Sequence, residues 1–222
     1  MRPLTDHTPK PLIEISGKTL LDLGLDALGN AGVETAVVNT HYLSDQIVRH
    51  VANRRKPTIV ISDESDALLD SAGGIVRALP LLGADPFLIL NADTFWIDGP
   101  DPDLHRLGLA WSDSRMDSLL MLAHPDHATG HSGPTDFLMD GEGRLSRARG
   151  SADGFIYAGV AILHPRIFEG AVAEPHSLNL YFDRAIETGR LFGLPMNGHW
   201  ITVGTPDAVA PAEAAVQRGA GR

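Results

Sequence analysis

The hydrophobic positions in the first half of the chain follow two alternating patterns. Three segments repeat apolar residues every three or four positions, which predicts amphipathic helices. Three short runs between and after them are rich in β-branched and aliphatic residues, which predicts strands. The helices are predicted at 20–31, 43–53 and 72–82, and the strands at 34–40, 58–62 and 86–93. Strands that alternate with helices over this length indicate βαβ units of an α/β fold.

The second half of the chain is richer in predicted strands than in helices. Extended runs occur at 117–124, 155–163 and 190–203, a hairpin pattern at 136–145 and a helical pattern at 178–188. Asp140 and Gly141 supply the hairpin turn, and Thr205 and Pro206 predict an N-cap and first turn for a last helix. The simplest arrangement is a single domain over residues 1–222. It has a mixed, mostly parallel sheet flanked by helices and a small hairpin lobe.

Composition excludes several classes of function. The chain has 222 residues and a net charge of −10, which argues against a nucleic-acid partner that would need a basic surface. The absence of cysteine removes disulfides, thiolate metal sites and a cysteine nucleophile. No apolar run reaches the ~20 residues of a membrane span, and no apolar leader is visible, so the predicted location is the cytoplasm and no membrane partner is expected. An acidic chain that binds phosphate needs local cations, backbone amides or a divalent ion.

Two stretches carry candidate charged groups. Lys10 stands between Pro9 and Pro11, which restrict the backbone and suit a cation that is held against a phosphate. On composition alone, a solvated proline-rich coil is the more frequent explanation of such a stretch. Asp93 and Asn91 end a run typical of a strand buried on both faces, where a carboxylate is well placed for Mg²⁺. A loop-capping aspartate explains this position about equally well.

Two further stretches are weaker signals by themselves. Asp70, Gly73 and Gly74 precede or open a predicted helix, where small residues admit a ligand and free N–H groups can bind anions. An ordinary helix entry accounts for them about as well. The stretch 199–206 around Thr202 reads most simply as a strand that leads into a capped helix.

Taken in order, these stretches resemble the sugar-1-phosphate nucleotidyltransferase family. The family's opening signature is roughly LAAGxGTRMxPLTxxxPKPL, and MRPLT at 1–5 and PKPL at 9–12 resemble its second half. LDSAGGI at 69–75 resembles the LxTxGGI loop, and NAD at 91–93 resembles the strand-end NxD. Similar matches occur at 155–165 and at 200–205. Within the family, these stretches are most similar to those of the uridylyltransferases of N-acetylmuramate 1-phosphate, followed by those of the guanylyltransferases of mannose 1-phosphate.

The resemblance implies a Rossmann-like, GT-A-like fold and the partners of the reaction, a nucleoside triphosphate and a sugar 1-phosphate. It implies Mg²⁺ as cofactor, with Asp93 as a ligand and Thr202 near the metal. Lys10 would contact phosphate. The substrate-binding residues that it implies are Arg2, Asp70, Gly73, Gly74, Asn91, Asp136, Tyr157 and Gly159. Residues 117–204 would mainly bind the sugar, and the part before them the nucleotide.

The sequence departs from the family pattern in two places. The likeness begins part-way through the opening signature, so the first strand and its glycine-rich loop are expected to be missing. Thr202 stands where the family has a metal-binding aspartate, and a neutral hydroxyl is a poorer Mg²⁺ ligand than a carboxylate. A catalytically impaired nucleotide- or sugar-binding homologue is therefore an open alternative. A nicotinamide-dependent dehydrogenase is disfavoured because GxGxxG is absent. The oligomeric state is open.

Overall fold

Six α-helices and thirteen β-strands make up the part of the chain that the computed structural model describes, residues 1–151 and 153–220. The helices are α1 (Leu20–Asn30), α2 (Ser44–Val51), α3 (Asp70–Leu82), α4 (Asp103–Ala110), α5 (Asn179–Glu187) and α6 (Val209–Ala220). The strands are β1 (Glu14–Ile15), β2 (Lys18–Thr19), β3 (Thr35–Thr40), β4 (Thr58–Asp63), β5 (Phe87–Leu90), β6 (Thr94–Ile97), β7 (Ser118–Ala123), β8 (Ala128–Thr129), β9 (Phe137–Met139), β10 (Leu145–Arg147), β11 (Ile156–Leu163), β12 (Leu191–Pro195) and β13 (His199–Thr202).

The central sheet has the strand order β12-β7-β11-β5. Strand β11 runs antiparallel to both β7 and β5, whereas β12 runs parallel to β7. Three of the four strands therefore point in one direction, as the prediction of a mixed and mostly parallel sheet requires. All six residues of β7 are buried, because this strand is internal to the sheet and apolar clusters cover both of its faces.

A second sheet is the parallel pair β3 and β4. Helices α1 and α2 pack on it through a cluster that contains Leu21, Leu25, Ala36, Ile47 and Val51. Within the described residues, β3 pairs only with β4, and β5 pairs only with β11. A cavity of about 780 Å³ lies between the open edges of β3 and β5.

Two smaller units complete the fold around the central sheet. Strands β9 and β10 form the predicted hairpin, and Asp140 shapes its turn by accepting hydrogen bonds from the N–H groups of Glu142 and Arg144. Strand β13 lies between β6, to which it is antiparallel, and β8, to which it is parallel. This second unit brings the chain after β5 next to the end of β13.

Most predicted elements agree with the structure to within a few residues at their ends. Helix α4 was not predicted, and the predicted strand 86–93 stops at Leu90 because Asn91–Asp93 leave the sheet. The predicted N-cap was also wrong. Thr205 makes no side-chain capping bond, since Pro206–Ala208 form a separate 3₁₀ turn before α6 begins at Val209. No helix in the described ranges is both long and apolar enough to cross a membrane.

Candidate active site

The ammonium of Lys10 and the carboxylate of Asp93 form an ion pair, with Nζ 2.5 Å from Oδ2. Pro9 is extended, and Lys10 opens a short 3₁₀ helix that contains Pro11, so the lysine backbone is held on both sides. The two side chains are 32% and 33% exposed, which leaves both accessible to a ligand. Residues that are far apart in the chain thus come into direct contact, as the sequence interpretation requires.

The backbone around Asp93 is held on two sides. Asn91 donates its N–H to the carbonyl of Gly159 at 2.8 Å, which ties the end of β5 to β11. Val203 donates its N–H to the carbonyl of Asp93 at 2.9 Å, which ties the same turn to the end of β13. The carboxylate therefore projects from a turn whose backbone position is fixed by two neighbouring strands.

Thr202 lies beside Asp93 through strand pairing. It is opposite Thr94 in the antiparallel β13–β6 ladder, and its Oγ1 is 3.5 Å from the carbonyl oxygen of Asp93. This distance is at the outer limit of a hydrogen bond. The structure thus brings Thr202 to the Asp93 turn, and its role toward a metal stays a prediction.

Thr94 and Trp200 form a buried polar junction that the sequence interpretation did not single out. Trp200 donates its indole N–H to the carbonyl of Ala158 at 2.9 Å and also to Oγ1 of Thr94. Thr94 is 2% exposed and Trp200 is 4% exposed, so these hydrogen bonds satisfy groups that water does not reach. The junction fixes β6, β11 and β13 immediately behind Asp93. The sequence signals were Trp200, which opens the family-like stretch 200–205, and a threonine one residue after the strand-end aspartate.

The segment around Gly73 is packed differently from what the sequence led us to expect. A Cβ atom on Gly73 would overlap the carbonyl oxygen of Glu174. Ala72 donates its N–H to the carbonyl of His176 at 3.0 Å, and Oγ of Ser71 accepts a hydrogen bond from the N–H of Leu178. The segment 174–178 therefore covers the start of α3. Gly73 admits the protein's own backbone at the position where we expected it to admit a ligand.

Asp70 opens α3 with a left-handed φ of 59°. Its Oδ1 accepts a hydrogen bond from the N–H of Ser71 at 2.6 Å, and its side chain is exposed. One carboxylate oxygen is therefore committed to the helix start. A contact of Asp70 with a nucleotide stays a prediction.

Gly74 lies against a hydrogen-bonded pair, the exposed Asn39 and the buried Glu64, that the sequence interpretation missed. Asn39, near the end of β3, donates from Nδ2 to Oε1 of Glu64 at 2.6 Å and to the carbonyl of Gly74 at 2.9 Å. Glu64 follows β4 and is only 6% exposed. The available signal was the same one that identified Asp93, namely a polar residue at the carboxyl end of a predicted strand.

Arg2 and Lys10 line the same small cavity. Its volume is about 430 Å³, and its other walls include Asn39, His41 and Tyr42. Arg2 has an 86% exposed side chain, whose Nε is 3.3 Å from Oδ1 of Asp6. An exposed ion pair of this kind is worth little, so the guanidinium can exchange Asp6 for an anionic ligand at small cost. Two cations at one concavity suit a phosphate chain.

Asp136 and Tyr157 connect the hairpin to β11. Oδ2 of Asp136 accepts a hydrogen bond from the N–H of Tyr157 at 2.8 Å. The ring of Tyr157 packs edge-on against Phe182, with 5.5 Å between centroids, and burial raises the pKa of its phenol. Its hydroxyl is buried with no hydrogen-bond partner among the described residues. These contacts give Tyr157 a place in the core, whereas a sugar contact of Asp136 stays a prediction.

Across residues 1–151 and 153–220, no three histidine, aspartate or glutamate side chains group closely enough to hold a metal by themselves. A metal bound by Asp93 would therefore need other ligands from outside this set of side chains. Mg²⁺ is often bound in this way, by one or two carboxylates with substrate phosphates and water. The Lys10 ammonium beside Asp93 shows that this carboxylate can be approached closely by a cation.

Comparison with known proteins identifies the family. The model of the family described as Nucleotidyl transferase matches residues 1–107. Over 219 residues the chain is 39% identical to N-acetylmuramate alpha-1-phosphate uridylyltransferase of Caulobacter vibrioides, covering 96% of this chain and 90% of that protein. The chain belongs to the sugar-1-phosphate nucleotidyltransferase family. The resemblance stated from its motifs is thereby confirmed, as is the prediction that it is a nucleotidyltransferase.

A second relative agrees with this assignment, and a solved structure shares the fold. The nucleotidyltransferase is 30% identical over 217 residues to the N-acetylmuramate alpha-1-phosphate uridylyltransferase of Neisseria meningitidis serogroup B, covering 96% of this chain and 92% of that protein. Its fold matches the crystal structure of HddC from Yersinia pseudotuberculosis complexed with GMP-PN, with a TM-score of 0.77. That match covers 97% of this chain and 93% of HddC at 22% identity, and it confirms the mixed α/β fold.

Proposed function

We propose that this nucleotidyltransferase transfers a uridylyl group from UTP to N-acetylmuramate 1-phosphate and releases pyrophosphate. Two relatives with that name match nearly the whole chain, which supports the choice of both substrates. The observation that carries the mechanism is the contact between Lys10 and Asp93 at the end of β5. The product would be a nucleotide sugar of the kind used in peptidoglycan recycling, made in the cytoplasm where nucleoside triphosphates are available.

The reaction depends on aligning two charged reactants and does not need a protein nucleophile. A phosphate oxygen of the sugar phosphate attacks the α-phosphorus of the nucleotide and forms the new P–O bond. The bond from that phosphorus to the bridging oxygen breaks, and pyrophosphate leaves with the electron pair. The attacking oxygen is already anionic, so no general base is required. Positioning two reactants in this way can supply ~7–11 kcal/mol.

Lys10 is the residue that would offset the repulsion between the two anionic reactants. Its ammonium lies in a cleft beside the carboxyl end of β5, where a reacting phosphate can replace the carboxylate as its partner. Arg2, on the same cavity, would bind the departing pyrophosphate end of the triphosphate. Fixed cations that neutralise developing charge are among the largest contributions to catalysis.

Asp93 would hold Mg²⁺, with Thr202 beside it and substrate phosphates as the remaining ligands. Bound there, the ion would neutralise phosphate charge and polarise the reacting phosphoryl group. Asn91 and Gly159, which adjoin this turn, would border the sugar together with Asp136. Gly74 would lie under the nucleotide. On this proposal residues 117–204 mainly bind the sugar, and the earlier part of the chain binds the nucleotide.

A matrix of substrates tests the proposal. Pyrophosphate release is measured with UTP or GTP and with N-acetylmuramate 1-phosphate or mannose 1-phosphate. We expect the largest kcat/KM for UTP with N-acetylmuramate 1-phosphate. A preference for GTP with mannose 1-phosphate would instead support the guanylyltransferase alternative. Nucleotide binding by calorimetry with no pyrophosphate release for any pair would support the impaired homologue and overturn the proposed activity.

A further inference from the structure

A tight turn carries the chain from the end of β3 into α2 and places His41 at the carboxyl end of the strand. Strand β3 ends at Thr40, and α2 begins at Ser44. Oγ of Ser44 donates a hydrogen bond to Oγ1 of Thr40 at 2.9 Å, and Leu43 has a left-handed φ of 53°. His41 is exposed on this turn, at the end of the strand where open α/β sheets bind their ligands.

One nitrogen of the His41 ring is held by the backbone. Nδ1 is 2.6 Å from the carbonyl oxygen of Glu64, and a carbonyl oxygen can only accept a hydrogen bond. The proton of the neutral ring must therefore be on Nδ1. Glu64 is itself fixed, because its N–H donates to the carbonyl of Thr40 at 2.8 Å. Nε2, on the other side of the ring, makes no hydrogen bond within residues 1–151 and 153–220.

His41 lines the small cavity of about 430 Å³ that also contains Arg2 and Lys10. The neighbouring Tyr42 ties the turn to the Arg2 end of this cavity. Its hydroxyl donates to the carbonyl of Asp6 at 3.0 Å, and the carboxylate of Asp6 is the one that faces Arg2. The ring of His41 is thus held on the wall of a cavity whose other cations we have assigned to phosphate groups.

The charges around the cavity leave His41 as its titratable cation. The ionisable side chains on the segments that adjoin the cavity are Arg2, Asp6, His7, Lys10, Tyr42, Asp45, Asp63, Glu64 and Asp93. Asp6 faces Arg2, and Asp93 faces Lys10, so in each pair one cation offsets one anion. Histidine is the side chain that ordinarily changes charge between about pH 5 and pH 8. Of the two histidines on these segments, only His41 lines the cavity.

The position of the proton makes His41 selective for its charged form when it meets an anion. In the neutral ring the lone pair of Nε2 faces the cavity and repels a phosphate oxygen. In the imidazolium ring Nε2 carries a proton and can donate a charge-assisted hydrogen bond to that oxygen. Only the protonated ring therefore suits a phosphate, and a bound phosphate stabilises that form in return.

We propose that His41 is a further nucleotide-binding residue, which donates from Nε2 to the β- or γ-phosphate of the nucleoside triphosphate and makes nucleotide affinity depend on pH. The inference rests on the proposed function in that a triphosphate is the ligand beside Lys10. The α-phosphate stays at Lys10 and Asp93, where the reaction takes place. His41 belongs to the other end of the triphosphate because Tyr42 and Asp6 connect its turn to Arg2.

Ligand binding without turnover tests the proposal. Dissociation constants of UTP, inorganic pyrophosphate and UMP are measured by calorimetry from about pH 5.5 to about pH 8.5, which brackets the ordinary titration of histidine. Mg²⁺ is held constant and no sugar phosphate is added. Wild type is compared with His41→Gln and His41→Lys. The control is His50→Gln, because His50 pairs with Asp22 and lines neither cavity. Titration of the ligand itself cancels when two proteins are compared at the same pH.

We expect His41→Gln to weaken binding of UTP and pyrophosphate by about tenfold or more at the acidic end, and by less than about twofold at the alkaline end. UMP lacks the β- and γ-phosphates, so its affinity should change by less than about twofold at any pH. His41→Lys keeps its charge and should bind UTP more tightly than wild type at the alkaline end. His50→Gln should follow wild type throughout. An equal loss for UMP, an equal loss at both ends of the pH range, or no loss for UTP overturns the proposal.

NMR of the wild-type chain keeps the test decisive if a variant folds poorly. When pyrophosphate is added at a slightly alkaline pH, the Nε2 signal of His41 should move toward the position of a protonated ring, whereas that of His50 should not. An unmoved His41 signal contradicts the proposal. These readouts are separate from the proposed reaction. Binding of UTP through His41 with no pyrophosphate release for any sugar phosphate would retain this inference and overturn the reaction, and turnover with unchanged UTP affinity in His41→Gln would do the reverse.

Discussion

Gly159 and Asn91 lie so close together that a Cβ atom on Gly159 would be 3.0 Å from Nδ2 and 3.1 Å from Cβ of Asn91. The same atom would be 2.9 Å from Cγ2 of Thr94, and Gly159 has a φ of 76°. Because Gly159 of β11 has no side chain, the turn that carries Asp93 can pack directly on the central sheet. Both the conformation and the space favour glycine at this position.

Gly159→Ala should destabilise the protein and displace the Asp93 turn. The left-handed conformation costs about 1–2 kcal/mol for a residue with Cβ, and the overlap with Asn91 adds to it. Urea denaturation measures the first effect, and kcat for pyrophosphate release measures the second. Gly141→Ala is the control, because Gly141 has nothing within 4 Å of a Cβ atom. Equal stability of the two variants would show that the packing at Gly159 is not restrictive.

Lys10→Met and Asp93→Asn should each reduce kcat by ~100-fold or more, because each removes a charge that the proposed reaction uses. Lys18→Met is the matched control. Lys18 is 48% exposed and pairs with Asp26, away from the Lys10 contact, so its loss should change kcat by less than twofold. Steady-state pyrophosphate release measures all three. Asp93→Asn with most of its turnover intact would reject the assignment of Asp93.

Thr202→Asp should lower the Mg²⁺ concentration that gives half-maximal activity. It places a second carboxylate next to the Asp93 turn, where Oγ1 of Thr202 is 3.5 Å from the Asp93 carbonyl. An added anionic oxygen ligand strengthens binding of a hard cation. The measurement is a Mg²⁺ titration of pyrophosphate release, with Thr202→Asn as the neutral control. If the aspartate and asparagine variants respond to Mg²⁺ alike, the metal does not bind beside Thr202.

Asn39→Leu should cost about 1–3 kcal/mol of unfolding free energy. The substitution keeps a similar volume but leaves the buried carboxylate of Glu64 and the carbonyl of Gly74 without their donor. Asn53→Leu, at a position that is exposed like Asn39, should change stability by no more than about 0.5 kcal/mol. Urea denaturation of both variants gives the comparison. A cost at Asn39 no larger than at Asn53 would mean that the Asn39–Glu64 contact contributes no net stability.

The ionisation of Asp117 should make the unfolding free energy of the protein depend on pH. Burial opposes ionisation of its carboxyl, but hydrogen bonds from Arg190 and Arg166 outweigh burial and hold the pKa of Asp117 below its ordinary value. A lowered folded-state pKa means that the unfolded chain takes up the proton first. The ion pairs therefore stabilise the fold above about pH 4, and their contribution is lost as pH falls through the folded-state pKa.

The measurement is urea denaturation of wild type and Asp117→Asn between pH 6 and pH 2.5. We expect the unfolding free energy of wild type to exceed that of Asp117→Asn by a constant amount near pH 6. This difference should shrink below about pH 4. Asp101→Asn, at an exposed position, is the control and should show little difference at any pH. An advantage of Asp117 that does not shrink at low pH would show that ionisation of its carboxyl is not the cause.

Much of the fold could be predicted because it depends on local patterns. The periodicity of 20–31 placed α1 correctly, and the Asp140 turn placed the hairpin. The apolar run before Asn91 indicated a buried strand with Asp93 after its end. Helix α4 was not predicted, although Leu104 and Leu107 give its eight residues a helical apolar repeat. The approach of Lys10 to Asp93 was expected from the family resemblance, since neither local pattern connects the two residues.

The sequence by itself determined which segments become helices and strands, and it put polar residues at strand ends, because backbone hydrogen bonding and side-chain periodicity act over a few neighbouring residues. Only the tertiary structure decided that Gly73 receives the carbonyl of Glu174, that Asn39 binds Glu64, and that β3 and β5 border one cavity. Those contacts join residues that are distant in the chain. They are set by how the layers pack, and local sequence does not encode that directly.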